Sequence, residues 1–376
     1  MPIRVVERRQ FDPAPTGSTV LAGVAQSTGA VLQAAVGSLG REALVYGAYK
    51  PVLGTHAGLI PGIGQTDRAT AAALVATDGS TGLQPGKVYV NQRLRFECVS
   101  PAIPAGWTRE EARIRFLNCS NTGPPAGSAP IGGWSLFKLF NAGRCPITFT
   151  DGKCRPEVPN PNVEAFKGWD FEVYRTEVVG CIDSFQVWRN RDDAGATNVN
   201  LPVNVKLMGN ISGDHLWFSQ AESAGTYGQS VTADGPHADD VQVEQCNGGL
   251  EIRGNLFRGN LDPAWGPNTY YSGTDFFANG CLMIAPDVGP ISDMIIEQNW
   301  LYGGGVQVNY SHKPNKGYYL NDVGSCKDNV FGRDTSRTSL EILRPTSIPI
   351  VCDYGTGSTA NTFEDNGATV PLSNGG

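Results

Sequence analysis

The chain has 376 residues and a net charge of −7, with 17% of the residues charged and 40% apolar. These values argue against extensive disorder and give no support for nucleic-acid binding. Glycine contributes 47 residues and proline 25, so turns must be frequent. No apolar run reaches the roughly eighteen residues of a membrane span, and we expect no secretory signal peptide at the N-terminus.

Residues 1–78 differ in composition from the rest of the chain. Residues 18–49 are rich in alanine, glycine and valine and indicate a short helix around residues 30–44. Residues 50–64 are punctuated by proline and glycine, which indicates an extended linker. Two interpretations of this partly helical or extended segment stay open: a cap over the end of a repeat stack, or a segment that attaches to a larger assembly.

Short apolar runs separated by turns fill residues 79–365. Residues 113–119, 169–174 and 203–210 alternate with the period of two that is typical of strands. The nine cysteines are odd in number, scattered and without a CxxC pair, so we predict small buried hydrophobic side chains. Whether Cys145 and Cys154 form a disulfide stays open. Residues 366–376 are expected to form a flexible C-terminal tail.

An asparagine recurs at the end of these short runs. The residues concerned are Asn118, Asn190, Asn210, Asn255, Asn299, Asn329 and Asn361. Asparagine tolerates the left-handed backbone that a corner needs, and in stacked coils its amide can pair with the asparagine above and below. Stacked coils also share one apolar core that no single coil could bury. The sequence therefore predicts an all-β fold, a right-handed parallel β-helix.

A polar cluster stands directly before one of these strands. Asp234, His237, Asp239 and Asp240 precede an apolar alternation, which continues after a Gly-Gly turn as Leu250-Glu-Ile-Arg-Gly-Asn. His237 beside two aspartates suits a general base oriented by a carboxylate. Fastening of the loop through local hydrogen bonds is the alternative.

Three stretches resemble the pectate-lyase-like parallel β-helix superfamily and, more narrowly, β-helix minor tail proteins of phages that infect actinobacteria. They are residues 83–119, residues 203–215, and residues 235–255 with a His-x-Asp-x-x-Gln pattern. Asp240 stands where this family more usually has glycine. The resemblance implies a homotrimer in the virion tail, made in the host cytoplasm, that contacts other tail proteins and bacterial cell-surface polysaccharide. A secreted protein is the alternative location, and some relatives cleave glycan.

A groove along the outside of the coils is the expected place for a polysaccharide. Outward side chains of successive coils lie about 5 Å apart, so Asp239 or Asp240 and Gln242 are expected beside Lys206, Glu251 and Arg253. Asp214 and His215, one coil earlier, are expected nearby as substrate-binding residues. Three aromatic residues, Trp265, Tyr270 and Tyr271, are candidates for stacking on sugar rings, with capping of a coil edge as the alternative.

Two reactions fit such a groove. A glycoside hydrolase needs two carboxyl groups, for which Asp240 with Asp214 or Glu251 is the expected pair. A uronate lyase needs a base such as Lys206 or His237, with Arg253 or a cation to neutralise the substrate carboxylate. A hard cation such as calcium could bind Asp234, Asp239 and Asp240.

Three functions therefore stay open. The first is a phage tail protein that contacts glycan on the host envelope. The second is a polysaccharide lyase or glycoside hydrolase, and the third is a purely structural tail component. Neither the fold nor any spacing signature decides whether the chain is an enzyme.

Overall fold

The structure is a computed structural model, and it describes the greater part of the chain beyond residue 82. The described residues are 73–74, 83–90, 92–127, 134–216, 218, 220–227, 237–259, 279–311, 313–318, 320, 322–333, 335, 340–343 and 351–372. Residues 1–72 and 75–78, on which the expectation of an N-terminal cap or attachment segment depends, lie outside this part.

Short strands follow one another along the whole described part of the chain. The first are β1 (Ala73–Leu74), β2 (Val88–Val90), β3 (Arg93–Leu94), β4 (Cys98–Val99), β5 (Ile114–Leu117), β6 (Ser120–Asn121), β7 (Trp134–Leu139), β8 (Ile147–Thr150) and β9 (Lys153–Cys154). The next are β10 (Val163–Gly168), β11 (Phe171–Tyr174), β12 (Glu177–Val179), β13 (Asp183–Val187), β14 (Val205–Met208), β15 (Ile211–Gly213), β16 (Asp239–Val243), β17 (Cys246–Arg253) and β18 (Leu256–Gly259). The last are β19 (Gly280–Ile284), β20 (Ile291–Glu297), β21 (Trp300–Gly303), β22 (Val306–Ser311), β23 (Asp322–Lys327), β24 (Val330–Phe331), β25 (Leu340–Leu343), β26 (Val351–Asp353) and β27 (Thr362–Phe363).

Helices are short and stand between strands. Among the described residues they are α1 (Arg109–Ala112) and α2 (Gln220–Tyr227), with 3-10 turns at Pro314–Lys316 and Gly357–Thr359. No helix in the described ranges is long and apolar enough to cross a membrane.

The strands wind into three parallel sheets, and from β2 onwards every third strand adds to the same sheet. Sheet A has the order β1-β3-β6-β9-β12-β15-β18-β21-β24-β27. Sheet B has the order β2-β5-β8-β11-β14-β17-β20-β23-β26, and sheet C the order β4-β7-β10-β13-β16-β19-β22-β25. The predicted right-handed parallel β-helix is therefore confirmed, and its hand is the usual one for parallel crossovers.

One continuous core fills the interior of the coils. Its rings stack from coil to coil, as in the parallel pair Phe137–Phe166, whose ring centroids are 4.6 Å apart. The cysteines are free, and all except the half-buried Cys352 are buried. The prediction that they act as buried hydrophobic side chains is therefore confirmed for eight of the nine, and Cys145 and Cys154 are not bridged.

The asparagine ladder is present, but with five members among the described residues. Its members are Asn210, Asn255, Asn299, Asn329 and Asn361. The side-chain oxygen of each member after the first accepts two hydrogen bonds from the preceding member, one from its main-chain N–H and one from its side-chain amide. Its lower end continues to Thr176, whose main-chain N–H donates to Asn210 Oδ1 over 2.9 Å. Each buried amide thus satisfies polar groups of two coils.

Two expectations about the ladder were wrong. At four of the five ladder positions the left-handed residue is the one before the asparagine, as at Gly209 and Gly254 with φ of 66° and 64°. Asn118 occupies that left-handed position, with φ 51°, and so falls one residue short of the ladder. Asn190 follows a strand of sheet C and turns towards sheet B, at a different corner.

Candidate functional site

Asp239 and Asp240, the first two residues of β16, point to opposite sides of sheet C. Asp240 is fully buried and receives a hydrogen bond from Ser212 Oγ, inside the coil. Asp239, 1% exposed, instead receives a bond of 3.2 Å from Asn279 Nδ2. Opposite directions are expected of neighbouring strand residues. Val241, the residue after Asp240, is nevertheless also in the core. In β7 the adjacent residues Leu136 and Phe137 are likewise both in the core. The alternation between the two sides of the sheet is therefore interrupted near the start of these strands.

Inside the coil, His215 completes a polar group with Asp240 and Ser212. The histidine is fully buried, with Nε2 at 3.1 Å from Asp240 Oδ1 and Nδ1 at 3.2 Å from the carbonyl oxygen of Cys181. Both neighbours are hydrogen-bond acceptors, so an imidazolium with two N–H donors satisfies them best. Burial alone would lower the pKa of His215, but Asp240, Asp183 and the Cys181 carbonyl together raise it above the ordinary value.

Outside the coil, Asp239 ends a column of polar residues along the N-terminal edge of sheet C. We call Glu164, Asp183 and Asp239 the acidic column. Glu164 is in register with Asp183 on the next coil, and the main-chain N–H of Asp239 donates to Asp183 Oδ1 over 3.0 Å. Successive coils of parallel strands are about 4.8 Å apart. Three carboxyl groups from three coils therefore share one edge.

The surroundings of Asp183 and Asp239 favour the protonated forms of these two residues. Burial, and then the charges of Asp239 and Glu164, raise the pKa of Asp183 well above its ordinary range. Burial likewise raises the pKa of Asp239 well above that range, although the hydrogen bond from Asn279 opposes the shift. The carboxylate of Glu164 pairs with Lys167 Nζ at 2.7 Å. Burial thus favours a proton on the Asp183–Asp239 pair, as a general acid requires.

Sequence reasoning missed Asp183 and Glu164. A signal was available, because Asp183-Ser-Phe-Gln-Val and Asp239-Asp-Val-Gln-Val begin neighbouring strands of sheet C with the same pattern. Aligning the starts of strands, rather than the asparagines at their ends, would have placed the two aspartates together.

Lys206, Glu251 and Arg253 lie in sheet B and not beside the acidic column. Lys206 Nζ is 3.0 Å from Glu251 Oε1, and Arg253 pairs with Glu297 on the next coil. Gln242 lies in sheet C, where its Nε2 donates to Glu244 over 3.2 Å. The expected common groove is therefore corrected: its proposed members belong to two different sheets.

The remaining predicted residues are scattered around β16. Asp214 has a φ of 49° and faces Arg258 at 3.9 Å. Asp240 is enclosed in the core, so the expected hydrolytic pairs of Asp240 with Asp214 or Glu251 do not form on the surface. His237 is exposed and lies two residues before the start of β16. Asp234, Trp265, Tyr270 and Tyr271 lie outside the described residues, so their predicted roles stay predictions.

A metal centre has no complete ligand set in the described ranges. No group of three or more histidine, cysteine, aspartate or glutamate side chains there could hold a metal ion. Two of the three residues proposed for calcium, Asp239 and Asp240, face opposite sides of the sheet. One calcium ion could not bind Asp239 and Asp240 together, so the expected ligand set of Asp234, Asp239 and Asp240 is corrected.

Comparison with family models, with curated proteins and with solved structures showed no match to this chain.

Proposed function

We propose that this chain is a β-helix component of a phage tail that contacts glycan on the envelope of the host bacterium. The proposal is supported by the parallel stack of coils, because a rigid, repeating surface suits a repeating polymer. We place the glycan-binding surface on the outer face of sheet C because the acidic column lies at its edge. The two longest connections between described strands, residues 214–238 and 260–279, both enter sheet C at this edge. Long connections on a rigid scaffold are common places for binding.

Binding is tested with the full chain and purified envelopes of actinobacteria. We expect saturable binding that is lost when the envelope is treated to remove its polysaccharides. Substitution Gln242→Ala, on the same face, is expected to weaken binding, whereas Ser325→Ala on sheet B is the matched control. Absence of saturable binding, or binding that survives removal of the polysaccharides, would contradict the proposal. A monomer at micromolar concentration in a mass measurement would count against the trimeric tail component.

A second candidate is a glycoside hydrolase that uses the acidic column. The observation that favours it is the Asp183–Asp239 pair, whose pKa values are raised by burial. One carboxyl group would donate a proton to the leaving glycosidic oxygen, while its neighbour would act as nucleophile or base. The spacing of coils, about 4.8 Å, is on the scale of the roughly 5–5.5 Å that separates the carboxyl groups of retaining enzymes.

Release of reducing ends from envelope glycans tests the hydrolase. Asp183→Asn and Asp239→Asn are each expected to lower turnover by about 10³-fold or more, because each removes a group that must gain or lose a proton. Asp365→Asn, an exposed aspartate far along the chain, is the matched control. Turnover unchanged in both column variants would exclude the column from the chemistry. Unsaturated sugar products would indicate a lyase instead, and absence of both binding and turnover would leave the structural role.

A further inference from the structure

Trp107 presents an aromatic ring to solvent at the N-terminal end of the described β-helix. It is 47% exposed, and among the described residues only Leu372 is a comparably exposed large apolar side chain. Other described tryptophans, such as Trp134 and Trp300, are 2% and 7% exposed. An indole ring left in water loses the free energy of burial, which is at least about 1.5 kcal/mol for a large apolar side chain. The exposure of this ring therefore needs a reason.

The backbone around Trp107 is held firmly on both sides. Its main-chain N–H donates to the carbonyl oxygen of Pro104 over 3.1 Å, closing a turn in which Gly106 has a φ of 82°. Glycine suits that position because other residues are strained there. On the other side, Thr108 caps α1 and exchanges hydrogen bonds with Glu111. The ring is thus presented by a rigid segment, so binding a ligand would order little additional chain.

The ring forms one wall of a shallow cleft. The residues that line the cleft are Pro85, Gly86, Lys87, Gly106, Trp107 and Glu111. Gly86 allows the close approach, because a Cβ atom there would lie 3.0 Å from the indole and 2.7 Å from the carbonyl oxygen of Glu111.

A purely structural role explains only part of this arrangement. A residue directly before an N-cap often packs on the fourth helical residue, which here is Ala112. Ala112 is small and fully buried, so an aliphatic side chain at position 107 would serve equally well. Such a role does not account for a large ring that keeps nearly half of its surface in water.

The polar groups of the cleft are arranged for a ligand with hydroxyl groups. Lys87 is exposed and has no ion pair within the described part of the chain; its Nζ lies over the Tyr89 ring, 5.1 Å from the centroid. Glu111 uses Oε2 for both bonds from Thr108, which leaves Oε1 for other donors. A donor and an acceptor of opposite charge thus flank one flat apolar face.

We propose that the Trp107 cleft binds a neutral pyranose unit of a polysaccharide. The C–H face of the sugar would stack on the indole, Lys87 would donate to one hydroxyl group, and Glu111 would accept from another. The inference rests on the proposed function for the identity of the polymer, which would thereby contact the chain at a second place, away from the acidic column. The balanced charges of Lys87 and Glu111 favour a neutral sugar over a uronate.

Titration calorimetry with the full chain tests the cleft. The probes are chitotriose, maltotriose and an arabinogalactan hydrolysate. We expect at least one to bind with a Kd that rises about tenfold or more in Trp107→Ala, which corresponds to the stacking energy of an aromatic ring. Trp107→Phe, which keeps a flat face, should recover part of the affinity, whereas Trp107→Leu, which keeps only an apolar side chain, should not. Leu372→Ala is the matched control for loss of an exposed apolar side chain.

The outcomes separate this inference from the proposed function. If no probe binds the natural chain, or if Trp107→Ala binds as the natural chain does, the sugar cleft is overturned. Envelope binding that persists in such an experiment would leave the proposed function intact. Conversely, Trp107-dependent binding of a free oligosaccharide without any binding to envelopes would support the cleft and contradict the tail function. Thermal melting of each variant shows whether a lost affinity reflects lost folding.

Discussion

Replacing Asn255 with alanine should remove an interior member of the asparagine ladder, with one neighbour on each side. Asn255 is fully buried, and its Oδ1 accepts from the main-chain N–H of Asn210 at 2.9 Å and from Asn210 Nδ2 at 3.0 Å. Its Nδ2 donates to the carbonyl oxygen of Leu207 at 2.9 Å and to Asn299 Oδ1 at 2.8 Å. Four hydrogen bonds that join three coils are therefore lost in the variant.

The free energy of unfolding is expected to fall by about 3–5 kcal/mol. Each buried hydrogen bond contributes a net ~1 kcal/mol, and an unsatisfied buried N–H group costs about 1–3 kcal/mol. Not every partner is orphaned, because Asn210 Nδ2 keeps its bond to the carbonyl oxygen of Val173, and Asn299 Oδ1 keeps the Asn255 main-chain N–H. The main-chain N–H of Asn210 is the group that loses its partner.

Urea denaturation measures the loss, and hydrogen exchange locates it. The Asn210 amide should exchange faster in Asn255→Ala, whereas core amides far along the stack should change less, because repeat folds lose stability locally. Asn255→Asp has nearly the same shape but places an acceptor against two other acceptors, so it should be at least as destabilising. Asn366→Ala, whose side chain accepts one bond in an exposed turn, is the control and should cost less than about 1 kcal/mol.

A decrease for Asn255→Ala no larger than that for Asn366→Ala would refute this reasoning. The ladder would then be a geometric consequence of stacking and not a source of stability. A large decrease in Asn255→Ala with little change in Asn255→Asp would point to lost volume instead of lost donors.

Two further predictions concern titration at β16. The folded pKa values of Asp183 and Asp239 are raised, so their contribution to stability is present below the unfolded pKa of about 3.9 and is lost as the pH rises through the folded values. Asp239→Asn should therefore increase the free energy of unfolding at pH 7, by about 1.4 kcal/mol for each unit of the shift that lies below pH 7, and a lower free energy of unfolding would contradict the raised pKa. The pKa of His215 is also raised in the folded chain, so its contribution to stability is present below the unfolded pKa of about 6.5 and is lost as the pH rises through the folded pKa. His215→Gln should cost about 3 kcal/mol at pH 6 because Asp240 stays buried without its cation, and nitrogen NMR showing a neutral ring at that pH would refute the ion pair.

The fold could be predicted because its signals are local and repeated. An alternation of two within short runs and an asparagine after several of them are enough to indicate stacked coils. The exact position of each asparagine at its corner was harder to predict. Asn118 and Asn210 both follow a strand of sheet B, but Asn118 comes directly after its strand whereas Gly209 separates Asn210 from its strand. That residue decides whether the amide points along the stack or sits at the left-handed position, and only the backbone conformation shows which.

The site was less predictable because it depends on register between distant parts of the chain. Asp183 and Asp239 are 56 residues apart in the sequence, yet the main chain of one donates to the side chain of the other. The chain between their strands contains β14, which belongs to sheet B, and β15, which belongs to sheet A. The length of this connection therefore does not indicate that the two aspartates are in contact. Assigning Lys206 and Arg253 to the same face required knowledge of which sheet each strand joins.

The two aspartates at the start of β16 show how one extra inward residue changes the chemistry of a site. With strict alternation, Val241 inward would place Asp239 inward and Asp240 outward. Because the strands of sheet C change face near their start, Asp240 instead enters the core and needs Ser212 and His215 as partners. Asp239 is thereby turned to the outer edge, where the preceding coil supplies Asp183. Two adjacent aspartates thus have different partners: Asp239 lies beside Asp183 on the outer side of sheet C, and Asp240 forms an ion pair with His215 in the core. All of these side chains are buried.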